Sequence, residues 1–219
     1  MKKVLLIDDR PDRHLALLKD ASVTLNNYLK DVLNIVLKNE KNESYNTHKE
    51  MILEKKMDFL DEYSTVIVHR SAFEEENIKV IENLKSSCEE KNIKTVLFSG
   101  GISASFYTNS KQEVLLLNSR MLYSKKLEIF LDACKIDDNN ILLLAYGNRW
   151  KDNLLLNCLE KINYYQSFKY PFDFDEFVDE TGIDTIMDII SYTEPKEEDF
   201  DEFVKELRNS IINEVAFNE

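Results

Sequence analysis

Glycine and proline are scarce in this chain of 219 residues, with 4 and 3 copies. Collagen-like and linker-like architectures are thereby excluded. Cysteine is scarce too: Cys88, Cys134 and Cys158 are odd in number, far apart and each set in an apolar pattern. They predict reduced core residues, with neither a disulfide frame nor zinc spacing. No apolar run approaches the ~18–20 residues that would span a bilayer. The opening MKKVLLIDDRPDRH has a basic tip, but its apolar run stops at Asp8, short of the ~7–15 residues of a signal peptide. A cytoplasmic protein with no membrane association is the expectation. Motifs of the Walker A, GxGxxG, HExxH and GxSxG types are missing as well. His14 and His48 sit in polar helical surroundings without ligand spacing.

What the chain does have is a core and an uneven charge. Hydrophobic residues make up 43%, too many for a disordered chain. The net charge of −13 argues against direct nucleic-acid binding, which calls for a basic surface. Residues 1–172 hold 25 acidic and 25 basic residues, whereas residues 173–219 hold 16 and 3. The whole excess therefore lies in the last 47 residues. That step, marked by Pro171, predicts a domain over 1–170 and an acidic segment over 171–219.

In the first part, apolar runs alternate with helical stripes. Lys3–Asp8, Val32–Leu37, Thr65–His69, Thr95–Ser99, Val114–Asn118 and Ile141–Tyr146 read as strands. The run at 32–37 also fits an extension of the preceding helix. Between them lie stripes at Leu15, Leu18, Ala21 and Leu25, then at Ile78, Ile81, Leu84 and Cys88. Two more fall at Leu127, Phe130, Leu131 and Cys134, and at Leu154, Leu155, Cys158, Leu159 and Ile162. Thr47-x-x-Glu50 has the form of a capping box and predicts a helix from there to about Tyr63. The alternation predicts a doubly wound α/β fold whose sheet is mostly parallel, of five or six strands, with a sixth βα unit at its end. After Pro171 the pattern is all helical, over about 173–181, 184–192 and 196–217.

Ligands of such sheets bind at the carboxyl ends of the strands. Those ends carry Asp8-Asp9, His69-Arg70, Ser99-Gly100 and Asn118-Ser119. The opening VLLIDDRPD, and the order of these strand ends, resemble the receiver domain of bacterial response regulators over about residues 1–135. The resemblance implies a receiver- or flavodoxin-like fold in which an acidic pair helps bind magnesium and an aspartate ending the third strand accepts a phosphoryl group. It further implies a Ser/Thr ending the fourth strand and a Lys ending the fifth, both contacting the phosphate. Asp8 and Asp9 match the pair, and Ser99 matches the hydroxyl. The phosphoacceptor place falls on His69, or on Arg70 if the register slips by one, and neither is a carboxylate. The lysine place falls on Asn118 or Ser119, with Arg120 close by. Two chemical parts are present and two are missing, which implies a degenerate pseudo-receiver.

The pair itself has two readings. Asp8 and Asp9 are candidate magnesium ligands in a vestigial acidic pocket with His69, Arg70, Ser99 and Asn118. They also fit the cap and first-turn acid of a helix opening at Pro11. Two carboxylates at one strand end need a cation, or one of their pKa values must rise, and Arg70 or Arg10 is expected to neutralise them. His69 reads as a hydrogen-bonded strand-end residue rather than a catalytic or phosphorylated one.

Ser99–Ser105, SGGISAS, resembles the SGGxDS phosphate loop of ATP pyrophosphatase-type enzymes. Its glycines would let backbone N–H groups approach a phosphate. Position 103 is Ser where that motif has Asp, and no apolar stripe follows to mark the helix that the motif opens. The alternative is a turn that uses Gly100-Gly101 for unusual dihedrals.

In the acidic segment, DFDEFVDE (173–180) returns as DFDEFVKE (199–206), seven of eight residues matching at a spacing of 26. In each copy two phenylalanines and a valine share one helix face, and acids occupy the other. These helices read either as amphipathic elements packed on the first domain or as a surface for a partner. In the second case Phe174, Phe177, Phe200 and Phe203 would make the contact, with a protein whose surface is basic. Mimicry of a nucleic acid by the acid face is a third reading. The expectation taken forward is a non-catalytic pseudo-receiver that regulates or scaffolds a bacterial multi-protein system by binding a protein, without a cofactor. The alternative is a nucleotide-using enzyme acting through residues 99–105.

Overall fold

The computed structural model describes residues 3–15, 21–38, 43–73, 78–102, 104–108, 112–166, 202, 205–209 and 212–213. The chain divides into two compact units, Met1–Gly147 and Asn148–Glu219. The first unit holds a six-stranded sheet. In chain order its elements are β1 (Val4–Asp8), α1 (Pro11–Leu15), α2 (Ala21–Tyr28), β2 (Leu33–Leu37), α3 (Glu43–Leu53) and β3 (Thr65–His69). There follow α4 (Ile78–Glu90), β4 (Lys94–Ser99), β5 (Ser105–Thr108), β6 (Glu113–Asn118), α5 (Ser119–Leu122), α6 (Lys125–Lys135) and α7 (Leu142–Tyr146). The second unit opens with α8 (Trp150–Gln166), on which Leu154, Leu155, Cys158 and Ile162 are buried.

The sheet order is β2-β1-β3-β4-β6-β5. The first five are parallel, and β5 runs antiparallel to β6 at the edge. Without β5 this is the strand order of flavodoxin-like doubly wound sheets. Every residue of β1 and β3 is buried, as a central parallel strand covered on both faces requires. Alternation sorts their side chains. Leu5, Ile7, Val66 and Val68 pack with Ile52, Val80, Leu84 and Cys88 on the face of α3 and α4. Val4, Leu6, Ile67 and Phe98 are buried outside that cluster, as are Leu127, Phe130 and Leu131 of α6. Within the run Val32–Leu37, Leu33–Leu37 is a strand and not an extension of the helix.

Scarcity of glycine shapes how the helices end. At α3, α4 and α6 the second residue after the helix turns left-handed, with φ of 57° at Lys55, 54° at Asn92 and 66° at Asp137. The following amide then reaches back five residues: Lys56 to Met51 at 2.8 Å, Ile93 to Cys88 at 2.8 Å and Asp138 to Ala133 at 3.1 Å. Helices commonly use glycine in this place; here Lys, Asn and Asp take it.

Three local expectations are corrected. Ile141–Tyr146 is not a sixth strand: Leu142–Tyr146 is helix α7, buried from Leu142 to Ala145. A short apolar run does not distinguish a buried strand from a buried helix. The deciding groups stand just before it: Asn140 accepts the Leu142 amide at 3.0 Å, and Asp138 accepts the Asn140 amide at 3.1 Å. The sixth strand is instead β5, too short to signal itself although Phe106, Tyr107 and Thr108 suit a strand. Finally, Thr47 does not cap a helix that runs to Tyr63. It lies inside α3, its hydroxyl donates to the Glu43 carbonyl at 2.9 Å, and the helix ends at Leu53 before a 3₁₀ turn at Asp58–Glu62.

Candidate functional site

The carboxyl ends of β1 and β3 bring Asp8, Asp9 and His69 together. Asp8 is the last residue of β1 and fully buried. One of its oxygens accepts the Arg10 amide at 2.8 Å, which turns the chain into α1, and the other accepts the Tyr123 hydroxyl at 2.6 Å. Burial, reinforced by the Asp8 and Asp9 carboxylates, holds the Tyr123 hydroxyl well above its usual pKa, so it remains a donor. The cap reading of Asp8 is therefore right in part: it is the Asx-type turn residue before Pro11.

Asp9 faces His69. The Nδ1 atom of His69 lies 2.6 Å from Asp9 Oδ1, with both side chains almost wholly covered. Ser71 Oγ is 2.9 Å from the same nitrogen and 3.4 Å from Asp9 Oδ2. A carboxylate that close to Nδ1 calls for a proton on that nitrogen, with His69 donating. Arg10 Nε stands 3.6 Å from Asp9 Oδ2. Burial raises the Asp9 carboxyl, but the His69 hydrogen bond and charge, a backbone hydrogen bond and Arg10 together hold it below the usual value. Of the two arginines expected here, Arg10 approaches Asp9; Arg70 is exposed, its amide bound to the Phe98 carbonyl at 2.9 Å. Phe98 is the wall of the pocket, with ring centroids 5.0 Å from His69 and 5.8 Å from Tyr123.

Ser99 and Asn118 are register partners at the ends of β4 and β6. Asn118 supports the neighbouring loop: its Nδ2 donates to the carbonyls of Gly100 at 3.2 Å and Ile102 at 3.1 Å, and its Oδ1 accepts the Arg120 amide at 2.9 Å to open α5. Where the receiver resemblance implies a lysine reaching towards phosphate, an amide here braces backbone. The loop after Ser99 runs into strand β5 rather than a helix. The SGGISAS segment thus lacks the helix N-terminus that anion binding of the expected kind requires. A Cβ added at Gly100 or Gly101 would meet nothing within 4 Å.

Tyr123, Phe98, Ser71 and the Arg10 amide are members that the sequence reading missed. A tyrosine placed in a buried stretch needs a partner for its hydroxyl, and that was the available signal. Phe174, Phe177, Phe200, Phe203 and Pro171 lie outside the described residues. Nearby, Glu202, Lys205 and Glu206 are exposed and Leu207 is buried. Among the described residues no helix is long and apolar enough to cross a membrane.

Magnesium, which the receiver resemblance implies, would find two carboxylates here, Asp8 and Asp9, but no third. The group that could hold an ion is Asp8, Asp9 and His69, each offering one atom within 4.8 Å of the others. Its third member is a nitrogen, whereas magnesium is held through oxygen.

No protein-family model matches the chain, and no curated protein matches it. Among solved structures, the Francisella novicida lysine decarboxylase LdcF is matched at a TM-score of 0.35 and 14% identity, over 79% of this chain. The chain spans about a fifth (21%) of that structure's length, and a likeness this distant carries no argument about activity.

Proposed function

We propose that this chain is a non-catalytic, receiver-like module that regulates or scaffolds a bacterial multi-protein system by binding a protein partner. The observation that carries the reading is His69. It occupies the place where the resemblance implies a phosphoacceptor, it has no carboxylate to offer, and its Nδ1 is committed to Asp9 at 2.6 Å. Tyr123 closes the other side of the pocket on Asp8. With the reacting group replaced and its neighbours bound to one another, the strand-end pocket serves structure, and work falls to surfaces.

The acidic segment is the surface that the charge favours. The excess of −13 lies wholly beyond residue 172, and crowded acids repel one another unless a basic surface relieves them. The exposed Glu202 and Glu206 beside the buried Leu207 fit a helix that keeps its acid face outward. The experiment is co-purification of full-length chain from its source cells at low and high salt, beside a variant carrying Glu202→Gln and Glu206→Gln. A partner lost at high salt and weakened in the variant is the expected result, because exposed charges are screened within ~8 Å at physiological ionic strength. A partner held equally under all conditions would contradict the acidic contact.

A further inference from the structure

The outer edge of the sheet, at β5, lacks the devices that keep strand edges apart. We propose that two copies of this chain pair through β5, antiparallel and about a two-fold axis, so that their sheets join edge to edge. This goes beyond the binding of a different protein and does not depend on it.

Three observations converge. The first is position. β5 is the strand added to the flavodoxin-like order, and it ends the sheet: it pairs with β6, and among the described residues no strand pairs with its other side. Along an antiparallel strand the amides and carbonyls of alternate residues turn to opposite sides. Those of alternate residues in Ser105–Thr108 therefore turn away from β6, and such a row is a template for another strand. The second is composition. Thr95–Ser110 contains no charged residue and no proline, in a chain of which 32% is charged. Charge and proline are the usual guards of an edge. The opposite edge, β2, has them: exposed Lys30 and Asp31 precede it and exposed Lys38 follows it. The charge facing β5 across the sheet, Glu113 opposite Thr108, is held by Lys94 at 2.9 Å. The third is symmetry. A two-fold axis perpendicular to the sheet sets a strand antiparallel to its own copy. With the axis at Phe106, that half-buried residue stands opposite itself, and aromatic pairs across strands are stabilising.

Charge favours a second copy as the occupant. Symmetry brings like residues together, which is costly for a charged strand and free of that cost for this one. Residues 1–172, which contain the whole sheet, hold 25 acidic and 25 basic residues, so they bring no net charge to the contact. An isologous pair also closes: each copy covers the other's edge at β5 and leaves no further β5 edge to extend the assembly. Four residues make a short contact, so the pair is a weak one that separates on dilution. Its salt response is the opposite of an acidic docking surface. Screening reduces repulsion between the two acidic segments and leaves backbone hydrogen bonds in place, so added salt should not loosen the pair.

The test is sedimentation equilibrium of tag-free, full-length chain from micromolar to millimolar concentration, at low and high salt. Hydrogen exchange read by mass spectrometry follows the same samples. A reversible monomer–dimer equilibrium is expected, no weaker at high salt. Amides of Ser105–Thr108 should exchange more slowly as concentration rises, and those of Leu33–Leu37 should not change. Phe106→Lys, which places a guard on the edge, should weaken the dimer at least tenfold. Ile136→Lys, at an isoleucine that is 80% exposed and lies after α6, should leave it unchanged. A chain that stays monomeric at millimolar concentration overturns the proposal and leaves a foreign strand as the occupant of β5. A dimer that salt dissociates, or one that protects other segments and not β5, overturns it too, as does a Phe106→Lys chain that dimerises like the wild type. Exchange in the wild type decides the matter even if Phe106→Lys does not fold.

Discussion

From β1 to β4 each parallel step is bridged by helix, whereas between β4 and β6 a strand takes that place. The first arrangement buries β1 and β3 on both faces. The second leaves β6 with Leu115 and Leu117 buried but Val114 and Leu116 only half covered. A groove of about 440 Å³ lies there, lined by Glu82 and Lys85 of α4 and by Leu97, Gln112 and Leu116 on the sheet side. The acid pocket belongs to the closed half, in which Asp8 and His69 are held below the surface by their own neighbours. On the other half, Asn118 braces the backbone that follows Ser99. One sheet thus carries a buried rim whose polar groups bind one another beside a rim that is shallow and locally braced.

Substitutions that probe burial should separate the two halves most. Ile67→Ala in the middle of β3 removes a fully buried side chain and should cost ~2–5 kcal/mol in urea unfolding. Leu116→Ala in β6 should cost less than half as much, because solvent already reaches the site. Equal losses would mean that both faces of β6 are covered in solution.

Polar substitutions should follow the same order with smaller effects. Tyr123→Phe removes one of the two donors to the buried Asp8 carboxylate and should cost ~1–3 kcal/mol. Asn118→Ala deletes the cap of α5 and the brace on the Gly100 loop, and about 1 kcal/mol is expected from the cap. Chemical denaturation measures both; an Asn118 loss above that of Tyr123 would invert the comparison.

The alkaline effect differs in kind, since it sets in only above pH 9. Burial pushes the thiols of Cys88 and Cys134 up to about 12, from 9.0. A thiol raised in the folded chain favours the native state fully below its unfolded value. That contribution erodes as pH climbs from 9.0 towards about 12, since unfolding then releases protons. Stability measured from pH 8 upward should decline, and a thiol reagent at pH 8 should label neither cysteine until denaturant is added. Rapid labelling of the native chain would show that this core opens readily.

What the sequence disclosed follows the same division. The closed half was legible because β1, β3 and β4 are short, almost wholly apolar runs, and their ends placed Asp8, Asp9 and His69 on one rim. Which cation meets the acids was not legible, because that depends on side-chain direction: Arg70 and His69 are neighbours in sequence, yet one is exposed and the other buried. Tyr123 was invisible for a related reason, since it reaches Asp8 across 115 positions. In the open half, β5 is only four residues long, so its strand-favouring Phe106, Tyr107 and Thr108 make too short a run to stand out. At Ile141–Tyr146 the apolar run spoke equally for strand and helix, and the turn-forming Asp138 and Asn140 before it were the cue to weigh.

The central proposal is that the acid pocket of the closed half takes no part in phosphoryl transfer. It is tested most directly by incubating full-length chain with acetyl phosphate and Mg²⁺, and separately with Mn²⁺, and measuring the intact mass. No gain is predicted with either ion, since His69 stands bound to Asp9 where a phosphoacceptor carboxylate would be needed. A stoichiometric gain of one phosphoryl group, mapped to Asp8, Asp9 or His69, would contradict the account.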